Sequence, residues 1–139
     1  MILTDTGPLV ALLNDNDAHH ARCAKVLPGL SKPMLTTLPV LTEAMHLLGK
    51  QFGWRGQEAL WRMVKGQLLE IAPIEGEVLV RLPELMEKYR DAPMDMADAS
   101  LVAIAEARGL QRIFSLDAHF HAYRLRNGRA LQMIPGPGS

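Results

Sequence analysis

Four carboxylates, Asp5, Glu43, Asp98 and Asp117, stand where alternating strands and helices would bring them together. Asp5 closes the short apolar run Ile2-Leu3-Thr4, and Asp117 follows Ile113-Phe114-Ser115. Both therefore sit at the carboxyl end of a predicted strand, where open parallel sheets place their sites. Either one alone also reads as a turn residue after a strand. Asp95 and Asp98 share a face at the start of a predicted helix. Asp95 suits the N-cap, and Asp98 in the first turn complements the helix dipole. Asp98 nevertheless borders the apolar stripe Ala97, Leu101, Ile104 and Ala105, and a carboxylate at the edge of a core needs a partner. Glu43, between Val40 and Leu47, reads on its own as a solvent-facing boundary residue or a partner for Lys50.

Four converging carboxylates repel one another and raise one another's pKa values unless a divalent cation neutralises them. Hard Mg²⁺ or Mn²⁺ prefers such oxygen ligands. The chemistry this set implies is phosphodiester hydrolysis, with a metal-activated water and charge neutralised on the leaving oxygen. No cysteine or histidine cluster argues for zinc. His19 and His20 are adjacent rather than four apart, which points to a surface role. His119 and His121, close to Asp117, are candidates for substrate contact.

The elements that must position these acids read as an α/β domain with a mainly parallel sheet of about four to five strands flanked by helices in three layers. Strands are predicted at 2–4, 34–36, 68–72, 112–115 and 131–134. Helices are predicted from Pro8 to Leu13, from an Asp17 cap to Leu27, and from a Thr37 cap through Leu48. A turn is predicted over Gly49 to Gly53, then helices at 54–66 and 75–89, with Pro83 imposing a kink or break. A further helix runs from Asp95 to Arg108 and stops at Gly109. One domain covers 1–135, and 136–139 forms a loose tail.

The 139 residues are 48% hydrophobic and 22% charged, with 15 basic and 15 acidic side chains and a formal net charge of zero. The net charge gives no support for nucleic-acid binding, so that case must come from where the charges sit. The single cysteine, Cys23, excludes an internal disulfide and reads as a small buried hydrophobe. The acid at position five does not suit a signal peptide, and no apolar stretch approaches the roughly 18 residues of a membrane span. A soluble, cytoplasmic protein without membrane contact is expected.

With these pieces in order, the chain over about residues 1–135 resembles the PIN-domain nucleases, most closely the VapC-like toxins. The matching segments are Leu3-Thr4-Asp5-Thr6, Thr42-Glu43-Ala44, Ala97-Asp98-Ala99-Ser100-Leu101-Val102-Ala103 and Phe114-Ser115-Leu116-Asp117-Ala118-His119-Phe120. The resemblance implies a parallel sheet between helices and a Mg²⁺- or Mn²⁺-dependent endoribonuclease. Asp5, Glu43 and Asp98 would be metal ligands, and Asp117 would complete the site directly or through water. Thr6 and Ser115 would hydrogen-bond the carboxylates or the scissile phosphate. Asp95 has no firm counterpart and reads as a helix cap first and an outer acid second. The resemblance also implies a homodimer and, for a toxin, a protein antitoxin.

An RNA substrate needs cations. Arg112, Arg124 and Arg126, with Arg108 and Arg129, concentrate arginine in the C-terminal third, and each reads equally as part of a solvated basic face. A catalytically silent PIN-like module binding RNA or protein is the alternative function, although it would have no need of mutually repelling acids. A small-molecule phosphohydrolase of the haloacid-dehalogenase type would need a second Asp two residues after Asp5, where Gly7 stands.

Overall fold

A computed structural model describes residues 1–137; Gly138 and Ser139, the end of the expected tail, lie outside the described residues. Five strands form one sheet: β1 (Leu3–Thr4), β2 (Met34–Thr36), β3 (Leu69–Ile71), β4 (Arg112–Phe114) and β5 (Gln132–Ile134). Their order is β3-β2-β1-β4-β5, and every pairing is parallel, with Leu3 opposite Leu35 on one side and Ile113 on the other. All residues of β1 and β2 are buried, so both faces of the sheet are covered. The cover comes from α1 (Thr6–Leu13), α2 (His20–Val26), α3 (Leu38–Phe52), α4 (Trp54–Lys65), α5 (Glu77–Lys88) and α6 (Met96–Arg108). Chain order reverses around β1, with β2 on one flank and β4 on the other. That switch point is where a doubly wound sheet opens a crevice at its carboxyl edge.

Local chemistry explains most element ends. Asp95 caps α6 through its carboxylate, which accepts the Asp98 N–H at 2.8 Å, and Gly109 ends the helix with a φ of +67°. Every residue from Ala97 to Ala105 is buried, so α6 is a core helix without a solvent face over that stretch.

Several boundaries shift by a residue or two from the sequence reading, and three departures have a clear physical cause. Helix α3 does not turn at Gly49 but continues to Phe52 and ends at Gly53, whose φ is +64°. A Cβ at Gly49 would lie 2.6 Å from Gln57 Nε2, so the missing side chain serves close packing against α4. Pro83 does not break α5; Pro83 and Leu79 are both exposed, so the carbonyl that loses its donor is open to water. Helix α2 starts at His20, because the Asp17 carboxylate accepts the His19 N–H at 2.8 Å in a preceding turn.

Candidate functional site

Asp5 leaves the end of β1 with its N–H bonded to the Phe114 carbonyl at 2.9 Å, and it occupies the N-cap position of α1. Asp117 follows β4, the neighbouring strand, and Asp98 lies in the first turn of α6. These three elements bring one carboxylate oxygen each from Asp5, Asp98 and Asp117 within 4.8 Å of one another. Asp5 and Asp98 are each only 7% exposed, and no lysine or arginine forms an ion pair with any of the three among the described residues.

Neutral hydroxyls hold the carboxylates in place. Ser115 Oγ donates to Asp5 Oδ2 at 2.9 Å and accepts the Asp117 N–H at 3.0 Å, which ties two of the acids to one side chain. Tyr123 Oη donates to Asp98 Oδ2 at 2.9 Å from within the core, where its ring meets Tyr89 and Phe120 edge-on. Beneath the site, Thr36 Oγ1 donates to the Thr4 carbonyl, and Thr37 Oγ1 lies 2.6 Å from Ser100 Oγ, which donates to the Ala97 carbonyl. Thr6 lines the cleft and reaches the carboxylates through its main chain rather than its hydroxyl. Its hydroxyl donates to the Val40 carbonyl at 3.4 Å, and its main-chain N–H serves Asp5.

The electrostatics follow from burial and crowding. Desolvation is the largest effect on Asp5 and lifts its pKa to about 6; Asp117 and Glu43 add to it, while the Thr6 N–H and Ser115 oppose it. Asp98 rises to about 7, again through burial first and then the neighbouring Asp95, against the Tyr123 hydrogen bond. Burial and the Asp98 carboxylate also push the Tyr123 phenol above its ordinary range.

The trio opens into a cleft of about 460 Å³, whose walls include Glu43, Asp95, Leu47 and Gln51. Glu43 is exposed on α3 and lies outside the 4.8 Å group, on the wall of the same cleft. Its expected alternative partner, Lys50, makes no ion pair with it among the described residues. Asp95 both caps α6 and faces the cleft. His119 pairs with Asp117 at 3.0 Å.

None of the five arginines lines the cleft. Arg112 opens β4, two residues before the strand's last residue, Phe114. Arg124 donates to the His121 and Tyr123 carbonyls, Arg126 approaches Glu106 at 4.0 Å, and Arg108 approaches Glu70 at 3.8 Å.

Two features escaped the sequence. Tyr123 is 25 residues from Asp98 and carries no pattern that announces the contact. His19, read as a surface residue, is exposed but also lines the cleft with Asp17, and no local pattern in the sequence announces that placement.

The donor set fits a hard divalent ion. Mg²⁺ binds oxygens at about 2.1 Å, so two of its ligands lie at most about 4.2 Å apart. Three carboxylate oxygens already within 4.8 Å of one another could therefore share one such ion after a modest side-chain adjustment. Buried carboxylates without a cationic partner are also the groups for which such closure relieves the greatest repulsion.

The model of the PIN domain family matches residues 2–125, and the chain belongs to that family. It is similar to the ribonuclease VapC26 of Mycobacterium tuberculosis, with 24% identity over 96% of this chain and 100% of the relative. It is likewise similar to the 23S rRNA-specific endonuclease VapC20 of the same species, at 23% identity over 88% of this chain and 93% of the relative. The crystal structure of VapC20, described as a Sarcin-Ricin loop cleaving toxin, superimposes with a TM-score of 0.81 at 22% identity, covering 88% and 94% of the two chains. A toxin-antitoxin complex from Klebsiella pneumoniae superimposes with a TM-score of 0.65 at 17% identity, covering 84% and 87%. These two likenesses show the fold. Among the described residues, no helix is long and apolar enough to cross a membrane.

Proposed function

We propose that this chain is a divalent-metal-dependent endoribonuclease that acts as the toxin of a toxin–antitoxin pair. The observation that carries the reading is the Asp5–Asp98–Asp117 trio at the switch point, with Asp5 and Asp98 buried and no lysine or arginine paired with any of the three among the described residues. In this reading the three carboxylates hold Mg²⁺ or Mn²⁺, and Glu43 takes part from the opposite wall of the cleft, directly or through water. The bound ion would supply Lewis-acid stabilisation of the phosphate and lower the pKa of an attacking water.

The chain's own residues do the rest. Ser115 fixes Asp5 and the Asp117 backbone, and Tyr123 fixes Asp98, so the carboxylates are pre-oriented before any ligand arrives. His19 lines the cleft, where an incoming phosphate would meet it, whereas any substrate contact of Arg124 would lie outside the cleft, which Arg124 does not line. The names of the VapC relatives support an RNA substrate, and the Klebsiella complex supports a protein antitoxin. A homodimer working in the cytoplasm completes the proposal.

The test is cleavage of a mixed RNA pool by purified protein with Mg²⁺, Mn²⁺ or EDTA, beside Asp5→Asn. Metal-dependent cleavage lost in the variant is expected. Equal inertness of both proteins on every RNA would leave the silent binding module in its place.

A further inference from the structure

The cleft poses a problem that its own residues do not solve. Six of its lining side chains are acids, namely Asp5, Asp17, Glu43, Asp95, Asp98 and Asp117, and no lysine or arginine lines it. A polyanion reaching this site must be held elsewhere on the surface, since phosphate neutralisation dominates nucleic-acid affinity. Helix α4 carries a surface of the required kind. Its exposed residues are Trp54, Arg55, Trp61, Arg62 and Lys65, three cations against the single acid Glu58.

Trp54 is 61% exposed and Trp61 is 37% exposed, an unusual placement for the largest apolar side chain. Seven residues apart, they stand on one side of the helix, about 10.5 Å apart along its axis. That distance matches roughly three stacked base steps of about 3.4 Å. Arg62 meets Glu58 at 3.3 Å, but both are solvent-exposed enough that the pair competes weakly with a phosphate.

The stripe is fixed relative to the cleft. Gln51, on the cleft wall, is three residues from Trp54, so their Cα atoms are at most about 11 Å apart. A Cβ at Gly56 would come 2.9 Å from the Leu48 carbonyl, so α4 packs closely against α3 at that point. The same α3 carries Glu43, Leu47 and Gln51 into the site.

We propose that the outer face of α4 is a single-stranded RNA platform, on which Trp54 and Trp61 stack bases while Arg55, Arg62 and Lys65 hold the backbone flanking the scissile phosphate. The proposal rests on the nuclease reading for its substrate class. Cations interleaved with the tryptophans favour a polyanion over an apolar protein partner, because base stacking together with backbone neutralisation uses both residue types.

Trp54 and Trp61 are the chain's two tryptophans, so tryptophan emission, excited selectively over that of the two tyrosines, reports on this face alone. Titration of the full chain in EDTA with a short single-stranded RNA of mixed sequence should quench it saturably. Arg55→Gln and Arg62→Gln should each reduce the salt slope of that binding by about 0.7. The Trp54→Leu/Trp61→Leu variant should keep its circular dichroism and its kcat within about twofold, while KM for the same RNA rises about tenfold or more. Quenching without any cleavage would support the platform while refuting the nuclease. Intact cleavage with no quenching and an unchanged KM in the double variant would overturn the platform and leave the nuclease standing. A double variant that changes only its sedimentation mass would overturn it too, marking α4 as a contact between copies.

Discussion

The Tyr123 hydroxyl donates to Asp98 Oδ2 at 2.9 Å, joining the C-terminal part of the chain to the first turn of α6 from inside the core. The bond orients a carboxylate that burial alone would leave free to rotate or take up a proton. Tyr123→Phe keeps the edge-on ring contacts with Tyr89 and Phe120 and removes only this donor. We expect Mn²⁺ affinity to fall about tenfold or more, as is usual when a group that orients a ligand is lost. Calorimetric titration of the variant beside the wild type reads the change.

Ser115 is the corresponding support for the other two acids, and it serves them together. Ser115→Ala leaves Asp5 Oδ2 and the Asp117 N–H without their common partner. The variant should lose more metal affinity than Thr6→Ala, whose hydroxyl reaches only the Val40 carbonyl at 3.4 Å. Equal losses for the two would contradict the assignment.

The buried acids make stability without metal depend on pH in a defined direction. Asp5 titrates at about 6 and Asp98 at about 7 in the fold, above the 3.8 of an ordinary Asp. Between those values the native state binds more protons than the unfolded chain, so stability falls as pH rises through the window. The unfolding temperature in EDTA should therefore be higher near pH 5.5 than near pH 8, by an amount corresponding to roughly 2–4 kcal/mol. Asp98→Asn should flatten the dependence and raise the unfolding temperature at pH 8. Excess Mn²⁺ should stabilise the wild type most at the higher pH, where the carboxylates are free to bind it.

Gly56 tests the junction of α3 and α4. Its absent side chain leaves room for the Leu48 carbonyl, which a Cβ would approach at 2.9 Å. Gly56→Ala should destabilise the fold by about 1–3 kcal/mol despite alanine's better helix propensity. A gain in thermal stability would show that the two helices are less tightly joined.

Where the sequence could be read, local chemistry and tertiary demand agreed. The Asp95 cap, the Gly109 stop and the run Met34-Leu35-Thr36 each carry a signal that needs no distant partner, and each appears in the fold. The strand-end aspartates were legible because a parallel sheet leaves few other places for a carboxylate next to apolar runs. Gly49 and Pro83 misled because tertiary packing and solvent exposure decided their conformations, and neither is a local property. The hydroxyl supports lay beyond reach for the same reason: Ser115 and Asp5 are 110 residues apart, and Tyr123 looks like any aromatic core residue until Asp98 is placed beside it.

The claim on which the account turns is that Asp5, Asp98 and Asp117 form one cation site. Calorimetric titration of Mn²⁺ at pH 7.5 into the wild type, Asp5→Asn and Asp98→Asn tests it most directly, with circular dichroism confirming that each variant is folded. We predict saturable binding in the wild type and its loss in both variants. Folded variants that bind Mn²⁺ as the wild type does would contradict the account.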